Sequence, residues 1–323
     1  MGYRTCAPRR QTGRPPLLRF LEASARQGPL LLAGGIFAGL LIPPLAALFR
    51  DVITPTVVGL MTLVLLRVDF GRVLGFLTKP GVVLAVLVVL LVVSPVLAFA
   101  AAAALGLPGG LGAALVLMAT GCAATSSPAF ARLVGLDGDV SFAVAILSTL
   151  LVPFTAPPLA LGLLGLDLAL SVWGLMGRLS LVVGLPLCLS LLLRRVLGRE
   201  RLDRGGRAVD GAVVWLVVFY GFGVMDGMLA RLLADPAWVL GGLMLAFAAA
   251  AVLNLLTAGL MWWAGRRVAL AAGLLSGNRN MALYLAVLPA STDPDVLLFF
   301  ALCQFPLFLS PFLLKPVYAR IRP

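Results

Sequence analysis

Apolar residues run along this chain in long blocks rather than in the alternating or 3.6-residue stripes of a soluble protein, and charged or Gly/Pro positions punctuate the blocks. A helix needs roughly 20 apolar residues to cross a bilayer core. Ten blocks approach that length: 29 to 49, 52 to 69, 80 to 104, 110 to 133, 139 to 164, 171 to 194, 210 to 231, 236 to 264, 268 to 288 and 295 to 318, the second being the shortest. The pattern predicts an all-α integral membrane protein with ten transmembrane helices. Residues 1–28 form a basic cytoplasmic N-terminus and 29–323 a single transmembrane domain. The first block is longer than the apolar core of a signal peptide and reads as an uncleaved first span.

The cations test this span count independently, because Lys and Arg concentrate in short cytoplasmic loops. With the N-terminus inside, cytoplasmic segments hold 21 of the 25 Lys and Arg, the opposite loops hold only Arg50 and Arg231, and Arg178 and Arg279 fall within spans. Both termini therefore read as cytoplasmic. The net charge of +12 is explained by membrane orientation, with no nucleic-acid partner. Composition agrees, since 61% hydrophobic against 12% charged residues leaves nothing for a soluble enzyme or a disordered regulator. Abundant Ala, Leu, Gly and Arg with only two lysines suggest a GC-rich bacterial source and hence an inner membrane.

Histidine is absent, which removes imidazole proton shuttles, imidazole zinc sites and Ser/His catalysis. The four cysteines (Cys6, Cys122, Cys188, Cys303) lie singly, without metal or disulfide spacing. No catalytic residue, cofactor or metal ligand is assigned.

Two blocks are interrupted at mid-depth. The fourth carries Thr120-Gly121-Cys122-Ala123-Ala124-Thr125-Ser126-Ser127-Pro128, and the ninth carries Ser276-Gly277-Asn278-Arg279-Asn280. Lipid offers backbone groups no partner, so irregular backbone at that depth survives only against protein or a water-filled cavity. Each cluster precedes a proline-punctuated block: Pro153, Pro157 and Pro158 follow the first, Pro306 and Pro311 the second. Gly121 to Pro153 is 32 residues and Gly277 to Pro306 is 29. Five spans per half force the second half to run upside down, giving two inverted five-helix repeats of the kind that build a midplane substrate site in secondary transporters. Packing faces of small residues are the competing reading for the fourth block. They do not account for two Asn and an Arg in the ninth.

The candidate substrate or ion ligands are Thr125, Ser126 and Ser127 in the first break, Ser276, Asn278, Arg279 and Asn280 in the second, and Asn254 in the eighth block. Arg279 lies too deep to snorkel. Three roles stay open for it: binding the anionic group of a substrate, locking the interrupted region as a fixed cation, or pairing with Asp226. Arg178 and Asp226 sit toward the same ends of their helices and read as an ordinary ion pair. Asn254 reads equally as a site group or an interhelical hydrogen bond.

From the second block to the tenth the sequence resembles the bile acid:sodium symporter family. The resemblance is carried by Leu66-Arg67-Val68-Asp69-Phe70 with Lys79-Pro80, by Ser94-Pro95, and by Leu105-Gly106-Leu107-Pro108. It continues in Thr120-Gly121-Cys122-Ala123, in Gly138-Asp139-Val140, and in Gly277-x-x-Asn280-x-Ala282-Leu283. It implies a core domain (about 80–164 and 236–318) in which broken helices 4 and 9 cross, and a panel domain (about 29–69 and 171–231). It also implies transport of organic anions such as bile acids, sterol sulfates and keto or hydroxy acids by alternating access with sodium.

The family's sodium ligands are largely replaced. Its Ser-Asn pair after the fourth-helix break reads Ala129 and Phe130, and its fifth-helix hydroxyl pair reads Ala143 and Leu147, with Ser141 and Ser148 nearby. Its third-helix glutamine reads Leu90, and its ninth-helix glutamate and glutamine read Leu275 and Arg279. A guanidinium offers no lone pair to a cation. The sequence therefore leads to an organic-anion transporter with a site between the crossing helices and the panel, partnered by its substrate and the lipid bilayer, with Arg279 near where the family binds sodium. Sodium coupling through substitute ligands, a proton-coupled antiporter and a non-transporting membrane receptor or scaffold are the other classes.

Overall fold

The computed structural model describes residues 15–68, 71, 75, 80–136, 138–164, 171–289 and 291–321. Asp69, Phe70 and Lys79 of the quoted motifs, and Arg4, Arg9, Arg10 and Arg14 of the basic N-terminus, lie outside the described residues. Within them the chain is helical, apart from one isolated backbone bridge. Five helices are long and apolar enough to cross a membrane, and up to seven if each of two bent pairs is one span.

The N-terminal half comprises α1 (Pro16–Arg26), α2 (Gly28–Leu41), α3 (Pro43–Arg50), α4 (Ile53–Leu66), α5 (Pro80–Ala104), α6 (Gly109–Thr120), α7 (Ser127–Leu133) and α8 (Gly138–Leu164). The C-terminal half comprises α9 (Val172–Leu197), α10 (Arg199–Val224), α11 (Met228–Ala234), α12 (Pro236–Leu260), α13 (Arg266–Gly277), α14 (Ala282–Val287), α15 (Pro294–Leu302) and α16 (Gln304–Ile321).

The predicted blocks and the helices agree where proline or glycine marks an end. Among the described residues α5 runs from Pro80 and α8 from Gly138, and Pro236 opens α12 behind the N-cap of Asp235, whose carboxylate accepts from Trp238 N at 3.0 Å. They differ in three places. The first block bends by 106° between α2 and α3, because a residue preceding proline is pushed out of the helical region and Ile42, before Pro43, sits at φ −122°, ψ 80°. The second block yields only the 14 residues of α4, short of a full crossing. Residues 16–26, read only as part of a basic tail, form α1, which lies along α10 with Phe20 stacked on Trp215 and Trp215 Nε1 donating to Ser24 Oγ at 3.0 Å.

Packing is inside-out for water but right for lipid. Leu30, Trp173 and Met244 are 76%, 77% and 73% exposed on the outside of the bundle. The interior is also apolar, with Leu90, Leu117, Leu175, Tyr284, Phe299 and Phe300 buried in one continuous cluster. Helices α2 and α4 pack on α10, α4 packs on α9, and α14 packs on both α4 and α9. Helices α12 and α13 approach so closely that a Cβ at Gly277 would lie 2.6 Å from the Ala250 carbonyl oxygen, and one at Gly273 2.6 Å from that of Asn254.

Candidate functional site at the crossed helix breaks

Both interrupted blocks are broken as expected, and the two breaks meet. Helix α6 ends at Gly121, whose extended backbone (φ −62°, ψ 154°) carries the chain to α7, and α13 ends at Asn278 (φ −108°, ψ 89°) before α14. The extended segments run antiparallel with Ala123 opposite Arg279. Ala124 N donates to Asn278 O at 2.8 Å and Asn280 N donates to Cys122 O at 2.9 Å, so each break satisfies backbone groups of the other. Ser148 on α8, one of the nearby hydroxyls, accepts from Ala123 N at 3.2 Å.

Arg279 stitches this crossing to α5. Its Nη1 donates to the carbonyls of Gly121 and Leu90, both at 2.9 Å. Its Nε donates to Ser276 O at 2.7 Å, and its Nη2 to Ser276 Oγ at 3.1 Å. Gly121 and Ser276 lie at the C-terminal ends of α6 and α13, where carbonyls lack helical partners and a cation complements the helix dipole. The Leu90 carbonyl is free for a local reason. Residues Val89–Val93 form a π-turn in which Ser94 N donates to Val89 O, so the donor due to Leu90 is residue 95, a proline without an N–H.

The pairing with Asp226 expected for Arg178, and left open as one of three roles for Arg279, is corrected. Asp226 pairs with Arg50 at 3.3 Å across the turn that follows α10, and Arg178 Nη1 donates to Val287 O at 3.1 Å at the end of α14. Both arginines answer backbone carbonyls that lack a helical donor, because a guanidinium within an apolar bundle finds those acceptors nearer than any carboxylate.

A cavity of about 220 Å³ lies beside the crossing, between it and helices α2, α4 and α10. Thr125, Ser126 and Asn280 line it from the breaks, with Leu32, Leu60 and Val214 opposite. The other predicted ligands do not reach it. Ser127 and Ser276 are buried in the crossing, and Arg279 turns toward Leu90 on α5 instead. Asn278 accepts from Ser310 Oγ at 2.9 Å, and Asn254 exchanges hydrogen bonds with Tyr318 at 2.8 and 3.0 Å. Both asparagines border a separate cavity of about 310 Å³ between α12 and α16. Asn254 thus makes the interhelical hydrogen bond weighed for it while also lining a cavity.

Two polar residues of the main cavity escape a reading of the breaks alone. Gln304 Nε2 donates to Tyr220 OH at 3.2 Å, and both side chains line the cavity. A signal existed for one of them, because Gln304 is the sole glutamine within the apolar blocks.

Residues 54–235 match the sodium bile acid symporter family. The chain belongs to that family. Comparison with curated proteins returns no match. Members of the sodium bile acid symporter family are membrane transporters, so this is a multi-pass membrane protein of a transporter family. The matched segment contains the first break and Leu90, while the second break lies beyond it. At the positions where the family resemblance implies sodium ligands, Leu90, Ala143 and Leu275 present buried apolar side chains, and the Leu90 carbonyl is taken by Arg279. Among the described residues no cluster of three or more His, Cys, Asp or Glu is placed to hold a metal ion. At those positions the side chains supply none of the oxygens that the resemblance implies for sodium.

Proposed function

We propose that this protein is a secondary transporter that carries a small organic anion across an inner membrane by alternating access, with the Arg279 guanidinium standing where relatives hold sodium. The panel comprises α2, α3, α4 and α9 to α11; the core comprises α5 to α8 and α12 to α16, arranged as two inverted repeats of five spans, with both termini cytoplasmic. The observation that carries the reading is the cavity between the crossed breaks and α2, α4 and α10, a location shared by the substrate sites of transporters built from broken helices. The described partners of Arg279 are all carbonyl or hydroxyl oxygens. Its charge is therefore left to favour an anion in the adjacent cavity, where Thr125, Ser126, Tyr220 and Asn280 offer hydrogen bonds.

The family match favours a second reading, sodium-coupled symport, whose substitute ligands would be backbone carbonyls plus Ser126, Ser127, Asn278 and Asn280. Thermal unfolding of the purified protein in sodium chloride and in choline chloride at equal ionic strength separates the two, since a ligand of the native state raises its melting temperature. Equal melting temperatures are expected. A clear rise in sodium would overturn the Arg279 reading in favour of sodium symport.

A further inference from the structure

A third cavity, about 200 Å³, lies between panel and core at the end of the bundle opposite the termini, lined by Arg50, Val224 and Asp226 on one side and Leu285, Thr292 and Leu298 on the other. The crossing cavity includes Ala282 and this one Leu285, so the two are separated by a single turn of α14. The pathway implied by the proposed transport reaction runs past that turn, and the contacts around it are those of a closed face.

The last carbonyls of α14 have no helical partners, and two of them accept from panel side chains. Thr54 Oγ1, on α4, donates to Ala286 O at 3.2 Å, and Arg178 Nη1, on α9, donates to Val287 O at 3.1 Å. Beyond them Arg231 of α11, whose guanidinium also stacks on Trp238 and lies 4.0 Å from Asp235, pairs with Asp295 in the first turn of α15 at 3.2 Å. At one end of the bundle, three donors from the panel are thus matched with three acceptors from the core.

The same surface is incompletely satisfied. Arg231 Nε and Thr292 Oγ1 are buried with no hydrogen-bond partner. A buried polar atom without a partner costs free energy that solvation would return, so parting these surfaces offsets part of the loss of their contacts. The combination suits a contact that must break and re-form, better than one fixed for stability alone.

We propose that Arg178, Thr54 and Arg231 form a latch that closes the outer face of the transport pathway by clamping the end of α14 and the start of α15 to the panel, and that releasing it shifts the protein toward a state open at that face. The inference rests on the alternating-access reading above and concerns residues outside the crossing itself.

The test uses purified protein in detergent, with the four native cysteines replaced by serine and one reporter per protein: Leu298→Cys in the latch cavity or Thr125→Cys in the crossing cavity. Maleimide labelling rates are compared with and without Arg178→Gln or Arg231→Gln. We expect Leu298→Cys to react about fivefold faster in Arg178→Gln, where a charge-assisted hydrogen bond is lost, and about twofold faster in Arg231→Gln, where the pair is partly solvated. Thr125→Cys should slow in both. Exchanging the charges, Arg231→Asp with Asp295→Arg, should restore part of the slow Leu298→Cys rate lost in Arg231→Gln, in part only because Asp235 then faces a second carboxylate and the stack on Trp238 is gone. Unchanged Leu298→Cys labelling in both variants overturns the latch. A rise at Leu298→Cys with no fall at Thr125→Cys keeps the latch as a local closure and overturns alternating access. If the cysteine-free protein does not fold, hydrogen exchange of residues 285 to 298 in the otherwise native chain decides between the same outcomes, faster exchange in Arg178→Gln supporting the latch and equal exchange overturning it.

Discussion

The carbonyl of Leu90 accepts a hydrogen bond from Arg279, 189 residues later in the chain, at 2.9 Å, and it does so because Pro95 leaves that carbonyl without a helical donor. A local irregularity in α5 thereby becomes one leg of a support that also reaches the C-terminal ends of α6 and α13.

Restoring the missing donor should weaken this dependence. In Pro95→Ala the Leu90 carbonyl regains an N–H partner of its own, so removing Arg279 afterwards should cost about 1 kcal/mol less than it does in the native background. Melting curves of Pro95→Ala, Arg279→Ala and the double variant measure the coupling. Strict additivity would show that the Leu90 contact contributes nothing.

Arg279→Ala leaves the Leu90, Gly121 and Ser276 carbonyls buried without their donor, and a loss of at least about 3 kcal/mol in stability is expected. Arg279→Lys keeps the charge but not the forked donors and should recover only part of it. Arg279→Gln returns the residue that the family resemblance implies at this position. Because Leu90, Ala143 and Leu275 stay apolar, equal melting temperatures in sodium and in choline are expected for this variant as for the native protein, and a rise in sodium would show that one guanidinium alone excludes the cation.

The cavity beside the crossing can be filled without touching its polar groups. Val217 lines it from α10 and carries no hydrogen bond from its side chain. Val217→Trp should abolish uptake of organic anions into proteoliposomes while changing stability by no more than about 1 to 3 kcal/mol, the ordinary cost of overpacking. Undiminished uptake would place the substrate path elsewhere.

Two glycines separate close helix packing from mere helix propensity. Gly277→Ala drives a methyl group into the Ala250 carbonyl and should destabilise by about 1 to 3 kcal/mol. Gly241, on α12, has open space where a Cβ would go, and Gly241→Ala should stabilise by about 0.5 to 1 kcal/mol. Denaturation midpoints in one detergent suffice to compare them.

Much of the architecture was legible along the chain, because lipid restricts backbone to helices and makes every exception conspicuous. The two polar clusters stood out for that reason, and they do meet. Pro236 marked a helix start to the residue because its backbone preference acts locally. The basic composition of the N-terminus hid α1, whose Leu17, Leu18, Phe20 and Leu21 are too few to form an apolar block. Partner choice was the least legible part. Arg178 with Val287, Asp226 with Arg50 and Asn254 with Tyr318 join residues 109, 176 and 64 apart, and a sequence pattern carries no information on which of several distant acceptors a guanidinium or amide will reach. The same holds within the crossing, where Thr125 and Asn280 face the cavity while the adjacent Ser127 and Arg279 do not.

The separation of Gly121 from Arg279, 158 residues, also sets an order of biosynthesis. At about 5 to 20 residues per second, the first half of the protein waits roughly 8 to 30 seconds in the bilayer before its guanidinium emerges from the ribosome. During that interval the break after α6 has neither the Asn278 carbonyl nor the Arg279 side chain to satisfy it. The nascent N-terminal half is therefore the form most in need of an insertase or chaperone, and truncation before residue 279 should yield a chain that membrane proteases degrade.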